Sequence, residues 1–267
     1  MGAHLSAGPS RRALLAAAGL ALPLALGGCL PRRSTAGPMA RIVDRAACAM
    51  RADTLLVLLP GAYDDPADLV GQGFVQAVRQ RRLVLDVWLV DAHLGHYRER
   101  SILDRLDADV LAPARAEGYR TIVLAGISIG GFGALLCAST RPDRVSTVVA
   151  LAPWLGPSEL VGEIAGAGGV APWLAAGGDR RERDGDAAAR ALWRWLGQAG
   201  ERRAPELWLG YGRSDRLAEG HRLLAAALPA PQVLAVPGGH DWAPWRALWS
   251  ATLDGPAFAA VPRCPAA

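Results

Sequence analysis

The chain has 267 residues, of which 51% are hydrophobic, enough for one sizeable core and too apolar for disorder. All 29 basic residues are arginine, and neither lysine nor asparagine occurs, which excludes a phosphate-loop lysine, a Schiff-base lysine and a Cys-His-Asn triad. The net charge of +4 falls to +2 without Arg11 and Arg12, and the remaining arginines alternate with acids, as in Arg180-Arg181-Glu182-Arg183-Asp184, so the charge reads as a solvated surface and not a nucleic-acid patch.

At the N-terminus, Ser10-Arg11-Arg12 precedes an apolar run from Ala13 to Leu26, and Gly27-Gly28-Cys29 follows. A positive segment, a short apolar segment and small residues before a cut make a secretory signal, and the run is too short to span a bilayer. Leu26-Gly27-Gly28-Cys29 resembles a bacterial lipobox, whose cysteine is acylated and becomes the new N-terminus. Ser10 to Leu15 is similar to a twin-arginine signal, which exports folded proteins. The alternative is an ordinary cleaved signal with an incidental cysteine. Residues 1–28 are thus read as a signal peptide and 29–40, rich in Pro, Arg, Ser and Gly, as a lipid-anchored tether. The expected location is the periplasmic face of a bacterial membrane, or otherwise the periplasm or the medium. Leu30 offers no acidic retention signal, which points to the outer membrane.

The folded domain spans 41–267. Thr54 to Leu59 is a continuous apolar run ended by Pro60-Gly61, the pattern of a buried parallel strand. Asp65-Pro66 opens a helix predicted to run to about Gln80. Strands are predicted at 83–90, 121–125, 145–151, 206–211 and 232–236. Helices are predicted at 102–117, 130–140, 216–228 and 243–253. Strand and helix alternate, which implies an α/β protein with a doubly wound, mostly parallel sheet. Pro153 to Pro205 is too long for a simple connection and carries Trp154, Trp173, Trp193 and Trp195. It reads as a helical cap insertion over the sheet edge, or else as a surface insertion whose tryptophans pack on the body.

Gly126-Ile127-Ser128-Ile129-Gly130 has the form G-x-S-x-G, with an apolar strand before it and a glycine-rich helix after it. That strand–turn–helix setting is what a nucleophile elbow needs, because neighbouring backbone crowds the turn. In this the chain resembles the α/β-hydrolase superfamily. The Gly238-Gly239-His240-Asp241-Trp242 segment is similar to its bacterial esterase branch.

The resemblance implies a chain order of nucleophile, acid, histidine. His240 is the one histidine on a loop after the last strand, since His93 and His96 precede Ser128 and His221 falls within a helix. Asp215, after the penultimate strand, takes the acid position, with a helix N-cap as its alternative role. Asp184 and Asp186 are the next candidates, and Asp241 is too close to His240 to orient its ring. The oxyanion donors implied are the N–H groups of Ile129 and Ala62, with Tyr63 the next choice. Pro60 stands where a histidine often precedes the glycine of that loop.

The resemblance implies a serine hydrolase acting on carboxylic esters or thioesters through an acyl-enzyme on Ser128, without metal or cofactor. An acyltransferase with the same triad and a catalytically silent binding protein of the same fold are the alternatives. Tyr63, His93, Tyr97 and Trp154 are candidate substrate contacts at the mouth. Arg98 and Arg100 either shape substrate access or are surface residues. Asp91, His93 and His96 hold donors of the metal-binding kind, but the expectation is no metal. The expected partners are a small or lipid-like ester and, through Cys29, a membrane. Of the remaining cysteines, Cys137 is expected as a buried free thiol, while Cys48 and Cys264, near the two ends of the domain, are a possible disulfide in an oxidising compartment.

Overall fold

The six predicted strands all belong to one seven-stranded sheet. The computed structural model describes residues 1–2, 33–180, 185–198 and 205–265. The expected signal, Cys29 and the start of the expected tether therefore lie outside the described residues, as does Asp184. The sheet and its helices belong to the compact unit Arg33–Ala267.

The strands are β1 (Arg41–Asp44), β2 (Thr54–Leu59), β3 (Leu85–Val90), β4 (Thr121–Ile127), β5 (Thr147–Leu151), β6 (Glu206–Gly212) and β7 (Val233–Val236). Their spatial order is β1-β3-β2-β4-β5-β6-β7, and every neighbouring pair is parallel except β1 against β3. This is the doubly wound sheet of the α/β-hydrolase fold. The period of two shows directly in β2. Leu55, Val57 and Leu59 enter the core on one face of the sheet, while Leu56 and Leu58 enter the core on the other. A strand buried on both faces has no polar side to alternate, hence its continuous apolar run.

The helices that cover the sheet are α1 (Pro66–Gly71), α2 (Phe74–Gln80), α3 (Leu94–Arg98), α4 (Ile102–Leu106), α5 (Ala112–Ala116) and α6 (Ile129–Thr140). After β5 come α7 (Ser158–Gly166), α8 (Val170–Ala175) and α9 (Ala187–Leu196), then α10 (Ala218–Ala226) and α11 (Trp242–Asp254). Two predicted helices are corrected. The 65–80 stretch breaks at Gly73, whose φ of 81° is left-handed, so α1 and α2 are separate. The 102–117 stretch is continuous but passes through a π turn at Asp107–Leu111. Pro113 has no N–H to give the Asp109 carbonyl, and Arg41 Nη1 donates to that carbonyl instead, at 3.0 Å.

Strand β1 was not foreseen. Its four residues pair only through β3, and Ile42 and Val43 are exposed, so no buried face marks it in the sequence.

The described part of the 153–205 insertion is largely helical, and its buried residues join the core on one face of the sheet. Trp173 and Trp193 are fully buried, and the Trp193 indole N–H donates to the Leu155 carbonyl at 2.8 Å. Arg190, 1% exposed, lies between Glu163 and Asp186, with N–O distances of 2.8 Å to each. Trp173 Nε1 also donates to Glu163, at 2.9 Å. Cys48 and Cys264 are joined in a disulfide, with Cα atoms 5.9 Å apart. Cys137 is a buried free thiol, and burial pushes its pKa up to about 12.

Candidate active site

Ser128 stands between β4 and α6 with φ 54° and ψ −114°, a conformation costly for any residue with a side chain. The two motif glycines make it attainable. A Cβ on Gly126 would lie 2.3 Å from the Gly130 carbonyl group, and one on Gly130 would lie 2.4 Å from the Leu59 carbonyl oxygen. The turn is therefore wedged between α6 and the end of β2. Ser128 N donates to the Leu151 carbonyl at 2.9 Å, and Trp154 N donates to the Ser128 carbonyl at 3.0 Å. These bonds hold the strained residue from both sides.

His240 and Asp215 reach the same point from the C-terminal ends of β7 and β6, where sheets of this kind collect their sites. Their two loops touch through glycine. A Cβ on Gly212 would meet the Gly238 carbonyl oxygen at 2.4 Å, and Ser214 N donates to that oxygen at 2.9 Å. His240 Nε2 lies 3.0 Å from Ser128 Oγ, and His240 Nδ1 lies 2.8 Å from Asp215 Oδ2. The imidazole is also held edge-on by Trp245, with ring centroids 5.0 Å apart.

Asp215 has two hydrogen-bond partners. One carboxylate oxygen faces His240, and the other accepts from Leu217 N at 2.8 Å, within the loop that precedes α10. Burial pushes its carboxyl pKa up. The hydrogen bonds from His240 and Leu217 N–H, with the His240 charge, outweigh burial and bring it below the ordinary value. The rival acids among the described residues are used elsewhere. Asp241 caps α11 by accepting from Ala243 N at 3.0 Å, and Asp186 pairs with Arg190.

Ser128 opens on a cavity of about 640 Å³. Ala62 and Ile129 both line it, as do Tyr63, Tyr97 and Trp154. Among the described residues, neither the Ala62 nor the Ile129 N–H has a hydrogen-bond partner. Trp154 packs edge-on against Phe132, and Tyr63 is 91% exposed at the mouth. The Tyr97 hydroxyl is buried against Gly133 with no partner among the described residues, and burial raises its pKa.

His93 does not reach the cavity, a correction to its expected role. Its Nδ1 accepts from Gly95 N at 3.2 Å and caps α3, which turns the ring toward Ser34. His96 Nδ1 is 3.3 Å from Ser101 Oγ. His221, fully buried, has Nε2 2.9 Å from the Pro153 carbonyl.

Three features of the site were not singled out from the sequence. Asp64 lies with a carboxylate oxygen against Gly61. Burial, then the neighbouring charges of Asp68 and Asp65, raise its pKa. Arg216, next to Asp215, lines the cavity, and so does the cap segment at Gly185 and Ala187–Ala189. The Asp64-Asp65 repeat and the arginine after the acid were the available signals. Neither carries orientation.

Comparison with known proteins places this geometry in a family. The Esterase family model, described as "Putative esterase", matches residues 93–254. A search of curated proteins returns no match. Among solved structures the chain is similar to an S-formylglutathione hydrolase from Staphylococcus aureus, at 16% identity and TM-score 0.55, over 81% of this chain and 89% of that one. It is similar to a fluorophosphonate-binding serine hydrolase of the same organism, at 17% identity and TM-score 0.52, over 80% and 97%. It is also similar to a monoacylglycerol lipase from Paleococcus ferrophilus, at 20% identity and TM-score 0.51, over 76% and 90%. At these identities the structural likeness shows the fold alone. The family match covers more than half of the chain, and the protein is therefore a member of the Esterase family, an ester hydrolase on the α/β-hydrolase fold.

Proposed function

We propose that the protein cleaves carboxylic esters or thioesters through an acyl-enzyme on Ser128. The observation that carries this reading is the unbroken relay from Asp215 through His240 to Ser128, with heavy-atom distances of 2.8 and 3.0 Å, which ends at the cavity that Ser128 lines. Ser128 Oγ attacks the carbonyl carbon while His240 Nε2 takes its proton, and Asp215 accepts from Nδ1–H and stabilises the imidazolium. The developing oxyanion is met by the Ile129 and Ala62 N–H groups. Collapse expels the alcohol or thiol, which leaves with the proton from His240. Water then attacks the acyl-enzyme by the same route and frees the acid.

A chain-length series of p-nitrophenyl esters tests this on the wild type and Ser128→Ala. Hydrolysis that falls at least about 10³-fold in the variant is expected. Equal turnover by both proteins would remove Ser128 from the mechanism.

We further propose that Cys29 is acylated and tethers the enzyme at the periplasmic face of a bacterial membrane, on the strength of the lipobox-like Leu26-Gly27-Gly28-Cys29. Cys29→Ser should move the protein from the membrane fraction to the soluble one. Retention on the membrane would contradict the anchor.

A further inference from the structure

The cavity at Ser128 has an unusual charge balance for a site that binds a neutral ester. Arg98, Arg100 and Arg216 all line it, and among the described residues no aspartate or glutamate does. Among the described residues, none of these guanidiniums has an ion pair or hydrogen bond. Arg79, Arg81 and Arg190, by contrast, are each tied to a carboxylate. Arg216 follows Asp215, but both oxygens of that carboxylate are engaged by His240 and Leu217 N. The three cations come from two places in the fold, the end of α3 and the loop after β6, and converge on one opening. Arg100 is also held at φ 56°, a left-handed conformation that a side chain normally avoids. Ser101 N, donating to the His96 carbonyl at 2.9 Å, fixes the turn there. The wall between is apolar and includes Leu94, Leu103 and Phe132.

We propose that the preferred substrate is an ester whose apolar body carries an anionic group, a carboxylate or a phosphate, away from the scissile carbonyl. The proposal rests on Ser128 being the nucleophile and specifies what that nucleophile is given. An apolar wall excludes water from the body of the ligand. A planar guanidinium fork matches carboxylate and phosphate oxygens, and like charges gathered in a low-dielectric cleft raise the local concentration of an anion. A neutral ester would gain the wall alone.

The test compares p-nitrophenyl octanoate with mono-p-nitrophenyl suberate and with the corresponding ω-phosphate ester, at low salt. The wild type should prefer an anionic ester by about tenfold or more in kcat/KM, chiefly through KM, and the larger of the two preferences identifies the anion. Because these side chains are exposed, each guanidinium is worth roughly 2- to 5-fold. The triple variant Arg98→Gln, Arg100→Gln, Arg216→Gln should lose about tenfold of the preference. Arg222→Gln, exposed on α10 and outside the cavity, should keep the wild-type ratio. Added salt should erode the preference in the wild type, a readout that needs no variant to fold. Equal turnover of neutral and anionic esters, or a preference that survives the triple variant and high salt, overturns the proposal. If those esters are still hydrolysed by wild type and not by Ser128→Ala, the nucleophile reading stands without it.

Discussion

At Asp215 a single side chain serves two partners, and a conservative substitution separates them. In Asp215→Asn the amide oxygen can still accept from Leu217 N, so the loop before α10 keeps that bond. The amide N–H₂ then faces His240 Nδ1, which favours the tautomer with its proton on Nε2, the wrong one for taking a proton from Ser128. The variant should keep the wild-type Tm within about 2 °C and lose about 10³- to 10⁴-fold in kcat on a p-nitrophenyl ester. Full activity would send the search to another acid. At this scale the sequence was legible wherever a residue type is rare or its neighbours are dictated. Ser128 is marked by glycines that backbone approach requires, and His240 by being the one histidine after the last strand. Asp64 and Arg216 were not legible, because their importance lies in where their side chains point, and spacing along a loop does not encode that.

Among the elements, the cap is where packing and function meet. Its helices carry the Gly185–Ala189 segment into the cavity wall, and they are held around the buried Arg190 between Glu163 and Asp186. Removing the cation from that site costs more than the ion pair itself is worth, because two carboxylates remain in a desolvated place. Arg190→Met should destabilise the cap by about 3 kcal/mol. Amide hydrogen exchange should then quicken in α7, α8 and α9 while β4 and β5 keep their protection. Exchange unchanged across the cap would show that the ionic cluster does not hold it. The alternation of strands and helices could be read because apolar runs and Gly or Pro boundaries coincide. The break at Gly73 and the π turn before Pro113 are local backbone choices inside helical patterns, invisible to a periodicity that continues through both. Strand β1 has no buried face of its own, so it left no pattern to read.

For the whole domain, the disulfide joins two segments separated by 216 residues and closes nearly the entire folded chain into one loop. Constraining so long a loop in the unfolded state is worth about 3 kcal/mol by common experience, with the entropic limit near 5 kcal/mol. Cys48→Ser with Cys264→Ser should therefore lower Tm by roughly 6–12 °C while leaving ester turnover at low temperature intact. An unchanged Tm would mean that the bond adds nothing to the folded domain.

The nucleophile is tested by the mass of the protein after a fluorophosphonate probe. A nucleophile activated by the Asp215–His240 relay predicts one stoichiometric adduct on Ser128, absent in Ser128→Ala and formed far more slowly in Asp215→Asn. Folded protein that takes no label, or takes it on another residue, would contradict the assignment of Ser128 as the nucleophile.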